Sequence, residues 1–224
     1  MRKIVFQSGN YYHIYNRGVD KREVFGDKYD YLRFLESLQY FNSTENIGSL
    51  YERNYLTRKL KKAAVDKKSD FQLEVGLQGK PLAEIICYCL NPNHFHLLLK
   101  QLIEDGIAKF MQKISIGYTK YFNEKYNRSG VLFQGKYKAV EVLSEEQICY
   151  ISAYINGNAE IHQIAKAENW PWSSCLDYLG KRDGKLCQLK EILREFENVK
   201  DYRNYLDDVI KNSKLTKKEL KGME

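Results

Sequence analysis

Glu84-Ile85-Ile86-Cys87-Tyr88-Cys89-Leu90, then Asn91-Pro92-Asn93, then His94-Phe95-His96-Leu97-Leu98-Leu99-Lys100 is the stretch that decides how this chain folds. Two apolar runs, each too short for a packed helix, flank an Asn-Pro-Asn turn, which reads as a β-hairpin. Side chains alternate across a strand, so His94 and His96 share one side. Phe95, Leu97 and Leu99 take the other, the natural core face. Cys87 and Cys89 likewise share a face as small apolar fillers.

Outward from the hairpin, the rest falls into elements. Tyr11-Tyr12-His13-Ile14-Tyr15 runs into Asn16-Arg17-Gly18 and reads as a first strand. Asp27 caps a helix with Tyr31, Phe34, Leu35 and Leu38 on one face. After the hairpin comes a long amphipathic helix, about 103–126, with Ile107, Phe110, Met111, Ile114, Tyr118, Tyr121 and Phe122 at three- and four-residue spacing. Residues 131–142 alternate as a strand. Ser144-Glu145-Glu146-Gln147 has a capping-box pattern and opens a helix running to about Asn158. Beyond Trp170-Pro171-Trp172 lie two short helical patterns, around 188–197 and 200–211, and a lysine-rich end expected to fray.

Strand, helix, strand, strand, helix, strand, helix predicts an α+β sandwich, ferredoxin-like (split βαβ), with a mostly antiparallel sheet. A small helical C-terminal extension follows, giving one domain over 1–180 and the extension over 181–224. Residues 44–80 interrupt the pattern as a basic insertion. Within 51–70 there are seven Lys/Arg against three acids.

The 224 residues carry 36 Lys+Arg against 29 Asp+Glu, a formal +7. The 43% hydrophobic content excludes wholesale disorder, and no apolar run is long enough to span a bilayer. The N-terminus lacks a signal-peptide core, so a cytoplasmic protein without membrane partners is expected. Five cysteines without a CxxC pair argue against a disulfide framework and a zinc ribbon. Eighteen tyrosines in a basic chain suit a surface that grips phosphates and stacks on bases. Between 109 and 140 there are seven Lys/Arg and one acid, with tyrosines interleaved.

His94 and His96 form half of a divalent-metal site, or are simply two surface histidines; the pair alone does not choose. An acid, His162 or an amide oxygen could supply a third ligand. In the helix opening at Ser144, Tyr154 and Asn158 stand one turn apart and could reach a common point. Packing for the tyrosine and helix termination for the asparagine account for them more simply.

Several motifs in order resemble the REP-associated tyrosine transposases, of the single-tyrosine HUH nuclease superfamily. They are Tyr12-His13-Ile14-Tyr15-Asn16-Arg17-Gly18, Asn91-Pro92-Asn93-His94-Phe95-His96-Leu97-Leu98 and Tyr121-Phe122-Asn123. Gly130-Val131-Leu132-Phe133-Gln134-Gly135-Lys136-Tyr137-Lys138, Tyr154-Ile155-Asn156-Gly157-Asn158 and Trp172-Ser173-Ser174 follow. The resemblance implies a metal-dependent single-stranded DNA endonuclease and strand transferase acting on hairpin-forming repeats, as a monomer or homodimer. It implies that His94, His96 and Asn158 bind Mg²⁺ or Mn²⁺ and that Tyr154 is the nucleophile. Contacts to DNA are then expected from Asn16, Arg17, Lys120, Tyr121, Asn123, Arg128, Gln134, Lys136, Tyr137 and Lys138. One departure is Asn158-Ala159, where the family usually has Asn-Pro. The alternative is a non-catalytic protein of the same descent that binds structured DNA, or RNA.

Overall fold

The hairpin at 84–100 forms as expected and sits inside a four-stranded sheet. A computed structural model of the chain describes residues 4–45, 48, 50 and 79–221. The basic insertion expected at 44–80 therefore lies largely outside the described residues.

The elements run β1 (Tyr11–Arg17), α1 (Lys28–Tyr40), β2 (Ala83–Asn91), β3 (His94–Gln101), α2 (Gly106–Lys125), β4 (Lys138–Val142) and α3 (Glu145–Asn156). Four more helices follow: α4 (Asn158–Ile161), α5 (Cys175–Tyr178), α6 (Lys190–Leu193) and α7 (Val199–Lys221). Strand order is β2-β3-β1-β4 with every pairing antiparallel, the split βαβ arrangement. Asp27 starts α1 as the sequence indicates: its carboxylate accepts from the amides of Tyr29 and Asp30, while Asp30 returns a bond to the Asp27 amide. Ser144 caps α3 by accepting from the Gln147 amide, but the Gln147 side chain reaches back to the Leu143 amide rather than to Ser144.

Helices α1 and α2 cover one face of the sheet, packing Phe34, Leu38, Phe110 and Tyr118 against Phe95, Leu97 and Leu99. Helices α3 to α7 cover the other, with Ala153, Ile155, Tyr178, Tyr202 and Leu206 against Cys87, Cys89 and Leu98. The face assigned to the histidines is thus a second core rather than a wet surface. The unbroken Leu97-Leu98-Leu99 run is what a strand buried on both sides requires.

Three boundaries differ from the sequence reading. Residues 131–137 form a loop, not a strand: the Gly135 amide turns back onto the Phe133 carbonyl, and Gly135 has φ +68°. Helix α3 ends at Asn156, and Gly157 carries the chain into α4. A side chain at Gly157 would lie 2.5 Å from Ile210 of α7, so glycine allows the two helices to touch. The tail is one long helix to Lys221, held by its Tyr202, Leu206, Val209 and Ile210 stripe and by a Lys214–Glu160 ion pair at 3.0 Å. Among the described residues no helix is long and apolar enough to cross a membrane.

A buried polar chain fixes α3 over the sheet. Asn156 donates to the Tyr202 hydroxyl of α7 at 2.7 Å and accepts from Ser174 at 2.6 Å; the Ser174 hydroxyl in turn receives the Tyr88 amide of β2. The 172–174 segment also pairs with β2, Leu90 amide to Trp172 carbonyl and Ser174 amide to Tyr88 carbonyl. That covers an edge that would otherwise expose unpaired backbone.

Candidate active site

Strand register assembles the site. On the α3 side of the sheet one row reads Cys89, His96, Tyr15, Lys138, and the next reads Asn91, His94, Arg17. His13 follows two residues before Tyr15, on the same side. Helix α3 lowers Tyr154 onto these rows, its ring centroid 5.9 Å from that of His96 and 6.3 Å from that of His13. Asn158, fully buried at the start of α4, reaches His94. Tyr154 and the two HxH histidines thus come together within one chain.

Hydrogen bonds orient both rings and set the proton on His94. Asn93 gives its Nδ2 to the Lys21 carbonyl, which turns its Oδ1 toward His94 Nδ1, 2.6 Å away. An amide oxygen only accepts, so Nδ1 holds the proton and Nε2 the lone pair in the neutral ring. Asn91 Nδ2 donates to that Nε2 at 2.9 Å and to Asn158 Oδ1 at 2.6 Å. His94 Nε2 and Asn158 Oδ1, both lone-pair atoms, lie 3.2 Å apart. His96 Nδ1 meets His13 Nε2 at 2.8 Å. Burial pushes the His13 pKa down to about 4, so His13 is neutral at pH 7 and one neutral imidazole orients the other.

The donor set suits a hard or borderline divalent ion. The two acceptors, 3.2 Å apart, are bridged by the Asn91 side-chain amide, and an imidazole nitrogen beside an amide oxygen is a pair of donors such an ion accepts. Among the described residues no group of three or more His, Cys, Asp or Glu is placed to hold a metal ion, and Asn158 adds an amide oxygen beside His94. Ala159 is fully buried in α4, packed in the core that contains Cys89. Burial raises the Tyr154 phenol above its ordinary pKa, with Asn158 pulling the other way. The phenol is therefore protonated at neutral pH.

Of the residues expected to touch DNA, Arg17, Gln134 and Lys138 line a cavity of about 640 Å³ together with His94, His96, Tyr154 and His162. Arg17 bonds the Gln134 side chain. Asn16 borders the cavity but is buried, bonding the Gly135 carbonyl and the Arg17 amide. Lys136 and Tyr137 lie on the far side of the 133–137 loop. The α2 residues are not brought to the histidines. Lys120 is exposed, and the Tyr121 hydroxyl bonds Asp30 on the opposite layer. Asn123 and Arg128 bond each other and close the turn after α2.

Sequence reasoning missed His13, Asn91 and Tyr15. The signal for His13 was its place in an alternating strand, two residues from Tyr15; what was missing was the β1–β3 register. His162, weighed as a possible ligand, has its ring 4.7 Å from that of His94. All four histidines of the chain therefore form one contiguous group.

The solved structure of a REP-associated tyrosine transposase bound to a REP hairpin is similar, with a TM-score of 0.50 and 13% identity, covering 84% of this chain and 96% of that one. At that identity the likeness establishes the fold. No curated protein sequence matches. The family model described as "Transposase IS200 like" matches residues 47–158, half of the chain, a span that holds His94, His96, Tyr154 and Asn158. The chain belongs to the IS200-like transposase family.

Proposed function

We propose that this protein is a metal-dependent single-stranded DNA endonuclease and strand transferase that cleaves hairpin-associated DNA through a 5′-phosphotyrosine on Tyr154. The observation that carries this reading is the convergence of Tyr154 with His94, His96 and Asn158 on one side of the sheet. His94, His96 and Asn158 would hold Mg²⁺ or Mn²⁺, which supplies positive charge to the phosphate oxygens as they gain charge. The chain does the rest. Asn93 holds the His94 ring with its lone pair on Nε2, where Asn91 donates, and His13 holds the His96 ring through Nδ1. Arg17 and Lys138 at the cavity rim attract the backbone.

The Tyr154 phenol loses its proton and its oxygen attacks phosphorus. The bond to the 3′ oxygen breaks, that oxygen takes up a proton, and a 3′-hydroxyl leaves. The bond energy is kept in the ester, so another 3′-hydroxyl can reverse the step and join strands.

The test uses labelled hairpin DNA with a single-stranded flank and Mg²⁺ or Mn²⁺. A denaturation-resistant protein–DNA adduct is expected. It should fall by roughly a thousandfold or more in Tyr154→Phe, as for loss of a covalent nucleophile, with DNA affinity nearly unchanged. Tight binding without an adduct in either metal would favour a non-catalytic DNA-binding protein. An adduct that survives in Tyr154→Phe would remove Tyr154 from its role.

A further inference from the structure

A second cavity, about 720 Å³, lies between α2 and the loop before β4. The loop separates it from the histidine cavity: Gln134 and Lys138 face one, Gly135, Lys136 and Tyr137 the other, and Asn16 borders both. The ridge is held firmly. The Gln134 amide bonds the Arg17 carbonyl at 2.8 Å, and Asn16 donates to the Gly135 carbonyl at 3.2 Å. Gly135, at φ +68° with open space where a side chain would stand, makes the sharp turn that keeps the ridge low.

The walls combine two kinds of chemistry. Ser115 and Thr119, short side chains one turn apart on α2, make the hollow. Ile116 and Val131 form apolar lips and remain 62% and 69% exposed. The Tyr137 ring and the Lys136 ammonium complete the rim. An apolar slot of this size suits a small flat ligand. Its surroundings choose which one. Lys136, Lys138 and Arg17 make no ion pair with a described carboxylate. Apolar and aromatic walls inside a cationic rim are what single-strand binding uses: phosphates on the cations, bases against the walls.

We propose that this cavity receives one unpaired nucleobase of the strand whose backbone passes Tyr154, an inference that rests on the nuclease reading above. The strand crosses the 133–137 ridge with its phosphates on Arg17, Lys136 and Lys138, and one base turns into the slot beside Tyr137. This positions the strand by a contact on the far side of the ridge from the reacting phosphate.

The test is a binding measurement on the full-length Tyr154→Phe protein, which removes cleavage from the readout. A hairpin with a single-stranded flank is scanned with an abasic site at successive flank positions, against the protein as such and with Ser115→Trp or Thr119→Trp, each of which fills the slot. One flank position is expected to stand out, its abasic form binding about tenfold more weakly, the size of one lost base-stacking contact. Each tryptophan variant should lose about the same from the intact strand and nothing further from the abasic one. Unchanged thermal unfolding of at least one variant confirms a folded protein. Equal losses at every position, or losses from variant and abasic site that simply add, would overturn the slot. That result with the Tyr154 adduct intact overturns the slot alone, whereas a specific base signal without any adduct overturns the catalysis alone.

Discussion

His13 shows how one residue links site geometry to stability. It is 8% exposed and bonds the His96 ring rather than a carboxylate, so its charged form loses hydration with little in return. Burial holds its pKa at about 4, below the ordinary 6.5. Between those values the unfolded chain binds the proton and the folded chain does not. The stabilisation is therefore complete above about pH 6.5 and lost as pH falls toward 4. Between about pH 7 and pH 5 the loss should be about 2 kcal/mol. Urea unfolding at both values checks this, with His13→Gln expected to remove most of the difference. An unchanged slope in that variant would show that other groups carry it. Neither the pKa nor the pairing with His96 was legible in the sequence, because both follow from a strand partner more than eighty residues away.

At the scale of elements, Tyr154 is delivered by α3, and α3 is located by the Asn156 junction. Its amide joins the Tyr202 hydroxyl of α7 to Ser174 beside β2, so three elements meet at one side chain. Asn156→Ala would break two buried hydrogen bonds at about 0.5–1.5 kcal/mol each, up to about 3 kcal/mol in all, while the Tyr202 hydroxyl keeps Ser152 and the Ser174 hydroxyl keeps Tyr88. A loss of about 3 kcal/mol in a denaturant melt is expected, with adduct formation falling more than DNA affinity as Tyr154 moves. A loss under about 0.5 kcal/mol, the ordinary range for an unimportant surface change, would mean that apolar packing alone positions the helix. Helix α3 and its Ser144 cap were readable in sequence because both signals are local. Its end at Asn156 was not, since Gly157 breaks the helix against Ile210 of a distant helix.

For the whole molecule, the formal +7 takes on a location. Arg17 and Lys138 border the histidine cavity, Lys136 the slot beyond the ridge, and Lys21 the near side of the site. Neutralising about four phosphates of a single strand would make log affinity fall with log salt at a slope of about −3. Lys138→Ala should flatten that slope by about 0.7, read by fluorescence anisotropy across a salt series. A slope near zero would show that the basic rim does not carry the DNA. The sequence by itself determined the order of strands and helices through the α+β domain, the hairpin at its centre and the shared face of His94 and His96. Those depend on periods of two and 3.6 and on caps and turns within a few residues. The tertiary structure decided which histidine supports which, that both sheet faces are buried, and that Lys136 and Lys138 face different cavities. Such facts depend on strand register and helix docking between distant segments, which local periodicity does not encode.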